Sequence, residues 1–134
     1  MNMFVDTSAL LAILDADDQN HAQAKVLWTE VLEQDTNLIC TNYVLLEAFA
    51  LLQRRFGIQA VRVLEQDVVP VLTIEWVNSA LHAMGVAMVL TATQRHLSLV
   101  DCVSFETMRQ LGIHVAFTFD RHFADYGFEC LPVV

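Results

Sequence analysis

The chain of 134 residues is poor in lysine and cysteine, and each shortage excludes a class of protein. Sixteen acidic residues face seven basic ones, which gives a net charge of −9 at pH 7, and one of the seven is lysine. A protein that binds nucleic acid through bulk charge needs a basic surface, so this mode of binding is excluded. The three cysteines, Cys40, Cys102 and Cys130, have neither zinc-ligand nor redox-motif spacing, and we interpret them as buried free thiols.

Long hydrophobic runs are also missing, although 55% of the residues are apolar and the mean hydropathy is +0.45. No run reaches the roughly 18 residues of a membrane span. No basic segment precedes the first apolar stretch, as a secretory signal requires. We therefore expect a cytoplasmic protein with no membrane partner. The apolar surplus favours fully covered parallel strands and a subunit interface, for which a homodimer is the simplest form.

Strand-like and helix-like segments alternate along the whole chain, with no linker or internal repeat between them. This alternation predicts one α/β domain over residues 1–134, with a mainly parallel sheet between two layers of helices. Pro70 cannot donate a ladder hydrogen bond, so the segment containing it is expected at the sheet edge. The strands are predicted at residues 3–5, 37–40, 67–73, 114–119 and 128–134, and the longer helices at 19–33, 42–56, 75–93 and 98–111.

Two acidic residues follow predicted strands. Asp6 comes directly after the first strand, and Asp120 comes after the strand HVAFTF. Open α/β sheets place their ligands at the carboxyl ends of strands. Taken alone, however, Asp6 is better interpreted as a helix cap or turn residue, and a turn residue is an equally simple interpretation of Asp120. Asp125 is a rival for the role of Asp120, although its setting before Gly127 is more typical of a turn.

Two further acids lie on apolar helices. Glu47 is the single charge between Tyr43 and Leu52, and it is interpreted as an exposed residue on a polar stripe, a partner of a buried arginine, or a metal ligand. Asp101 follows Ser98 by three residues, which is the spacing of a capping box. The next turn of the same helix is apolar, so the helix start points towards the core and could also present Asp101 to a site.

The four acids require charge compensation if they converge. At ~5 Å and an effective dielectric near 20, each like-charge pair costs about 3 kcal/mol, so protons or cations must offset the repulsion. Oxygen ligands without histidine or cysteine select Mg²⁺ or Mn²⁺ over zinc. Such ions serve phosphoryl chemistry. Spacing alone leaves the convergence open.

Four segments, in order, resemble the blocks of PIN-domain nucleases, most closely the VapC-type toxins of bacterial and archaeal toxin–antitoxin pairs. They are FVDTSALLAILD, TNYVLLEAFALLQRRFG, LSLVDCVSFETMRQLGI and AFTFDRHFADYGFECL. The resemblance spans the chain from Met3 to Leu131. It implies a PIN-like three-layer α/β/α sandwich and a Mg²⁺- or Mn²⁺-dependent endoribonuclease that leaves 5′-phosphate and 3′-hydroxyl ends. It also implies a cognate VapB-type antitoxin, whose C-terminal segment wraps the toxin.

The resemblance extends to single residues. Asp6, Glu47 and Asp101 match acids that ligate the metal directly, and Asp120 matches one that does so directly or through water. Thr7 and Thr118 match hydroxyl positions that support the first and last acids. Arg95 and Arg121 are interpreted as phosphate contacts, with ion pairs to the abundant acids as an equally good alternative. His122 is left out of the site, because a histidine in a loop after a strand is more often solvated or hydrogen-bonded.

The alternative function is a catalytically inactive PIN-like module that binds RNA or protein. The complete acidic quartet argues against it, because a scaffold needs no converging carboxylates. Two other enzyme classes of similar topology fit poorly. A receiver domain needs a lysine late in the chain, and the lysine here is Lys25. A haloacid-dehalogenase-type phosphatase needs a second aspartate two residues after Asp6, where this chain has Ser8.

Overall fold

A five-stranded sheet forms the centre of the molecule. The computed structural model describes residues 1–133, and its strands pair in the order β3-β2-β1-β4-β5. Every neighbouring pair is parallel. The strands are β1 (Asn2–Val5), β2 (Asn37–Thr41), β3 (Leu72–Glu75), β4 (Val115–Phe117) and β5 (Glu129–Leu131).

Helices cover both faces of this sheet, which confirms the predicted three-layer α/β/α architecture. Within residues 1–133, no helix is both long and apolar enough to cross a bilayer. The helices are α1 (Thr7–Leu14), α2 (His21–Glu33), α3 (Asn42–Phe56), α4 (Ile58–Val63), α5 (Ser79–Ala92), α6 (Leu99–Leu111) and α7 (His122–Asp125).

The strand order reverses beside β1. The chain adds β2 and then β3 on one side of β1, and it adds β4 and then β5 on the other side. Ligands of open parallel sheets bind outside the carboxyl ends of the strands at such a reversal. β1 itself is almost wholly buried, since Met3, Phe4 and Val5 expose 1% of their surface or less. The fold therefore fixes Asp6 rigidly at the usual ligand position of this architecture.

A cluster of aromatic rings joins α6 to the end of the chain. The Phe105 ring lies 4.8 Å from that of Phe123 at an angle of 83°. It also stacks on Tyr126 at 4.8 Å and on Phe128 at 5.7 Å. Phe105 is one helical turn beyond Asp101, and Phe123 follows Asp120 by three residues. This packing therefore holds the start of α6 against the segment that carries Asp120.

Gly85 allows α5 and α6 to approach closely. A Cβ atom at this position would lie 2.5 Å from Cγ2 of Val103 and 3.4 Å from the backbone nitrogen of the same residue. A β-branched side chain in a helix has one strongly preferred rotamer, so Val103 cannot rotate out of the way. Helix packing therefore explains why a glycine, which is a poor helix former, stands within α5.

Several predicted boundaries were wrong. The segment 67–73 is not a strand throughout, because a π-helical turn (Leu64–Val68) and a 3₁₀ turn (Val69–Val71) precede β3. Pro70 lies in the first turn of a helix, where its missing N–H is not needed. β3 begins two residues later, and it is an edge strand as expected. The helix predicted at 75–93 starts at Ser79, because the Asn78 side chain caps it by accepting from the Leu81 N–H at 2.8 Å.

The last part of the chain was also predicted incompletely. Helix α7 was not foreseen, and the final strand is confined to Glu129–Leu131, while Val134 lies outside the described residues. Cys40 and Cys102 are buried free thiols as predicted. Cys130 is only half-buried, because β5 is an edge strand with one open side.

Candidate metal centre

Asp6 is the most deeply buried acid of the candidate site. It leaves β1 directly into α1, and its backbone N–H donates to the Phe117 carbonyl of β4 at 3.0 Å. The carboxylate exposes 3% of its surface and caps α1, with Oδ2 accepting from the Ser8 N–H at 3.4 Å. The same oxygen accepts from the hydroxyls of Ser8 at 2.7 Å and Thr118 at 3.0 Å. These bonds all end on Oδ2, which leaves Oδ1 available to a ligand.

The hydroxyl support expected from Thr7 comes instead from Ser8. Thr7 is buried, but its Oγ1 has no hydrogen-bond partner within residues 1–133. Ser8 also accepts from the Phe119 N–H at 2.9 Å, so it ties α1 to the segment after β4. A capping carboxylate accepts from the second or third residue of its helix, and Ser8 is the second. That rule was the signal in the sequence for Ser8. It also makes Asp6 itself the helix cap.

Thr118 links Asp6 to Asp120, as expected of a supporting hydroxyl. Its Oγ1 donates to Asp6 and accepts from the Asp120 N–H at 3.0 Å. Asp120 keeps 28% of its side chain exposed. Asp125, its rival, lies exposed at the end of α7.

Asp101 holds the start of α6 through both halves of a capping box. Its N–H donates to Ser98 Oγ and its Oδ2 accepts from the Ser98 N–H, each at 3.1 Å. The side chain is 9% exposed. Burial raises its pKa, and the charges of Asp120 and Glu47 raise it further, against the lowering effect of the Ser98 hydrogen bonds. Asp101 therefore serves as a cap and also belongs to the acidic cluster.

Glu47 lies half-buried on α3, close enough for its charge to raise the pKa of Asp101. Within residues 1–133 an ion pair joins Arg109 to Glu106, and His122 lies 3.0 Å from Asp120. The interpretation of Glu47 as the partner of a buried arginine is therefore wrong for the described part of the chain. Glu47 instead lines an apolar groove, together with Tyr43, Leu46, Ala50, His82, Leu99 and Val100.

The pKa of Asp6 indicates that the acids of the cluster repel one another. Burial is the main cause that raises its pKa from 3.8 to about 6. The charges of Asp101 and Asp120 raise it further, whereas the hydroxyls of Ser8 and Thr118 lower it. The strand ends and the start of α6 thus bring three carboxylates together, with Glu47 beside Asp101. A bound cation is the simplest charge that offsets their repulsion.

His122, which the sequence analysis left out of the site, lies against Asp120. Its Nδ1 lies 3.0 Å from Asp120 Oδ1, which also accepts from the His122 N–H at 2.9 Å. Ligand atoms of Asp101, Asp120 and His122 all lie within 4.8 Å of one another. The position of His122 depends on the short helix α7, which no sequence pattern had indicated. The carboxylate oxygens of Asp6, Asp101 and Asp120 suit Mg²⁺ and Mn²⁺, whereas an imidazole is a ligand more typical of zinc, copper, iron and nickel.

The two candidate arginines differ in position. Arg121 directly follows Asp120 and is exposed beside the cluster. Arg95 lies in the exposed turn between α5 and α6, and no contact recorded for residues 1–133 joins it to the acids. Neither residue takes part in the ion pairs of the described chain. The ion-pair alternative is therefore not supported for either arginine.

Comparisons with known proteins identify the family of the chain. The family model described as "PIN domain" matches residues 3–129. The 23S rRNA-specific endonuclease VapC20 of Mycobacterium tuberculosis is 35% identical over 127 residues, which cover 94% of this chain and 95% of that protein. The crystal structure of the same toxin, described as cleaving the sarcin–ricin loop, has a TM-score of 0.84 and 33% identity, with 94% and 95% of the two chains covered. FitAcB from Neisseria gonorrhoeae shares the fold. Its structure has a TM-score of 0.68 and 15% identity, with 97% of this chain and 96% of that chain covered. The chain belongs to the PIN-domain family.

Proposed function

We propose that this protein is a metal-dependent endoribonuclease of the VapC type. The observation that carries the proposal is the grouping of Asp6, Asp101 and Asp120 at the switch point of the sheet, where their mutual repulsion calls for a cation. The name of the M. tuberculosis relative, an rRNA-specific endonuclease, supports the same activity.

Four acids, Asp6, Glu47, Asp101 and Asp120, would hold Mg²⁺ or Mn²⁺. Asp6 offers Oδ1, because its Oδ2 is occupied by hydroxyl donors. When bound, such an ion activates water and stabilises the charge that develops on the phosphate oxygens. Ser8 and Thr118 fix the orientation of Asp6 and the backbone of the Asp120 segment, so they are positioning residues.

The proposed substrate is a ribosomal RNA loop. The M. tuberculosis relative VapC20 is named for 23S rRNA, and its crystal structure is described as that of a toxin that cleaves the sarcin–ricin loop. With a net charge of −9, this protein has to recognise RNA by shape and by a few local cations. We propose that Arg121 contacts phosphate beside the metal. We propose Arg95 as a second, more distant contact.

We also propose a VapB-type antitoxin and a homodimer, both acting in the cytoplasm. A toxin that cuts ribosomal RNA has to be held inactive in its own host. The apolar groove beside Glu47, with Leu46 70% exposed, suits the apolar face of an antitoxin segment. The uncharged helix α5 exposes 71% of Leu90 and 44% of Met84, and it suits the subunit interface.

Removal of divalent metal is expected to abolish RNA cleavage. The protein is incubated with ribosomes or with 23S rRNA in Mn²⁺, in Mg²⁺ and in excess EDTA, and the fragments are mapped. We expect discrete cuts with 5′-phosphate ends in either metal, and a loss of more than about 100-fold in EDTA that added Mn²⁺ restores. Equal cleavage in EDTA would refute the metal-dependent mechanism. No cleavage in any metal would favour a binding module.

A further inference from the structure

A pocket opens beside Asp120. Its volume is about 340 Å³, within the range of small-molecule sites. Asp120 and Thr118 line this pocket and also belong to the candidate metal centre, so the pocket lies directly next to that centre. The other residues that matter for its chemistry are Gln19, Asn20, Phe119 and Arg121.

Arg121 supplies the pocket with a positive charge. The chain has sixteen acidic residues, yet the ion pairs found in residues 1–133 do not include Arg121. Its side chain is exposed at the pocket wall, next to Asp120. A guanidinium in this position presents a planar fork of donors that matches a phosphate group.

Gln19 and Asn20 supply amide groups from the loop between α1 and α2. This loop is held in place, because the Asn20 N–H donates to Asp18 Oδ1 at 2.8 Å and the His21 ring bonds the Ala12 carbonyl at 2.7 Å. Asn20 occupies the cap position of α2, but its side chain makes no capping bond. The side-chain amide of Asn20 is therefore not used to cap the helix, and it offers both a hydrogen-bond donor and an acceptor.

Phe119 completes the pocket with an aromatic ring. It is half-buried, and its ring is set edge-on against Phe117 at 6.3 Å and 66°. Unpaired RNA bases stack on aromatic side chains and are read by hydrogen bonds to their edges. A cation, two amides and an aromatic ring in one pocket match the phosphate, the base edge and the base face of a nucleotide.

We propose that this pocket binds one unstacked nucleotide of the RNA substrate, adjacent to the bond that is cut. Arg121 contacts its phosphate, Phe119 offers a stacking face, and Gln19 and Asn20 recognise the edge of its base. The pocket thus determines the nucleotide preference at one position of the cleaved loop. This inference rests on the proposed ribonuclease function, because the nucleotide in the pocket belongs to the RNA that is cut at the neighbouring metal centre.

A hairpin library with a randomised loop tests the inference. The library is cleaved in Mn²⁺ by the parent and by the double variant Gln19→Ala/Asn20→Ala, and the products are sequenced. We expect the parent to prefer one nucleotide by about tenfold at a position flanking the cut, and the double variant to lose that preference there while keeping its preferences elsewhere. Arg121→Gln is expected to raise KM about tenfold for all loop sequences. Arg62→Gln, an exposed arginine of α4 outside the pocket, is the matched control.

Binding measurements separate this inference from the proposed function. Fluorescence anisotropy with labelled hairpins, with Mn²⁺ omitted, reports nucleotide preference even if the parent cuts nothing. A parent that binds with a preference that the double variant lacks supports the pocket, whatever the cleavage result. The inference is overturned if parent and double variant show the same preferences at every position in both assays. It is also overturned if the double variant loses its nucleotide preference equally at all positions.

Discussion

The variant Asp6→Asn is expected to lose RNA cleavage and to become more stable in the absence of metal. Cleavage should fall by more than about 100-fold, because even residues that only support metal ligands typically contribute 10–100-fold. Stability should rise at pH 7, because the parent has to hold a buried carboxylate in its charged form. Burial and the neighbouring acids raise the pKa of Asp6 from 3.8 to about 6, which corresponds to about 3 kcal/mol.

The direction of this pH effect follows from proton binding. Between pH 4 and pH 6 the folded parent binds more protons at Asp6 than the unfolded chain does, so the free energy of unfolding falls as the pH rises through this window. The asparagine variant lacks this contribution. Urea denaturation in EDTA at pH 4 and pH 7 should therefore show a difference between parent and variant that grows with pH.

Asp125→Asn is the matched control, since this aspartate is exposed at the end of α7. It should keep cleavage within about twofold and stability within about 0.5 kcal/mol. If Asp6→Asn cleaves RNA as fast as the parent, the assignment of Asp6 to the metal centre fails. If it cleaves slowly but is also less stable at pH 7, the loss reflects damaged structure, and the electrostatic account of the site is wrong.

Replacing Phe105 by alanine is expected to cost about 4 kcal/mol of unfolding free energy. The ring is completely buried and contacts Phe123, Tyr126 and Phe128. It also fixes α6 against α7, so the variant should bind Mn²⁺ more weakly wherever it remains folded. Urea titration gives the stability, and calorimetry at low temperature gives the metal affinity.

Phe56→Ala provides the comparison for Phe105→Ala. Phe56 is at the end of α3 and is 47% exposed, so its loss should cost less than about 1 kcal/mol and leave metal affinity unchanged. Similar losses in the two variants would show that the aromatic cluster does not support the site. A Phe105→Ala protein that is destabilised but binds Mn²⁺ normally would separate the packing of α6 from the geometry of the acids.

The main features of the fold were predictable from the sequence because they depend on local rules. Alternating segments gave the parallel sandwich, and the spacing of Ser98 and Asp101 gave a capping box that the structure contains. The position of Asp6 was predictable because the residue after a first buried strand lies at the carboxyl end of that strand, whatever the rest of the chain does. The assignment of Asp6, Glu47, Asp101 and Asp120 as metal ligands stays a prediction.

The features that were missed depend on tertiary structure. The hydrogen bond between Ser8 and Phe119 joins two segments that are far apart in the sequence, and His122 reaches the acidic cluster through a helix of four residues. Such a short helix is set by packing, here by Phe123 against Phe105, and leaves no periodic pattern. Pro70 was placed in a strand because its neighbours are apolar and β-branched, although the chain uses it to start a helical turn.

The most direct test of the metal centre is a crystal structure with Mn²⁺ and data collected at the manganese absorption edge. The account predicts an anomalous peak about 2.1 Å from carboxylate oxygens of both Asp6 and Asp101, with Glu47 and Asp120 in its coordination shell. The peak should be absent from Asp6→Asn crystals grown in the same Mn²⁺ concentration. A peak in the parent that avoids Asp6, or no peak among these acids at a concentration that supports RNA cleavage, would contradict the account.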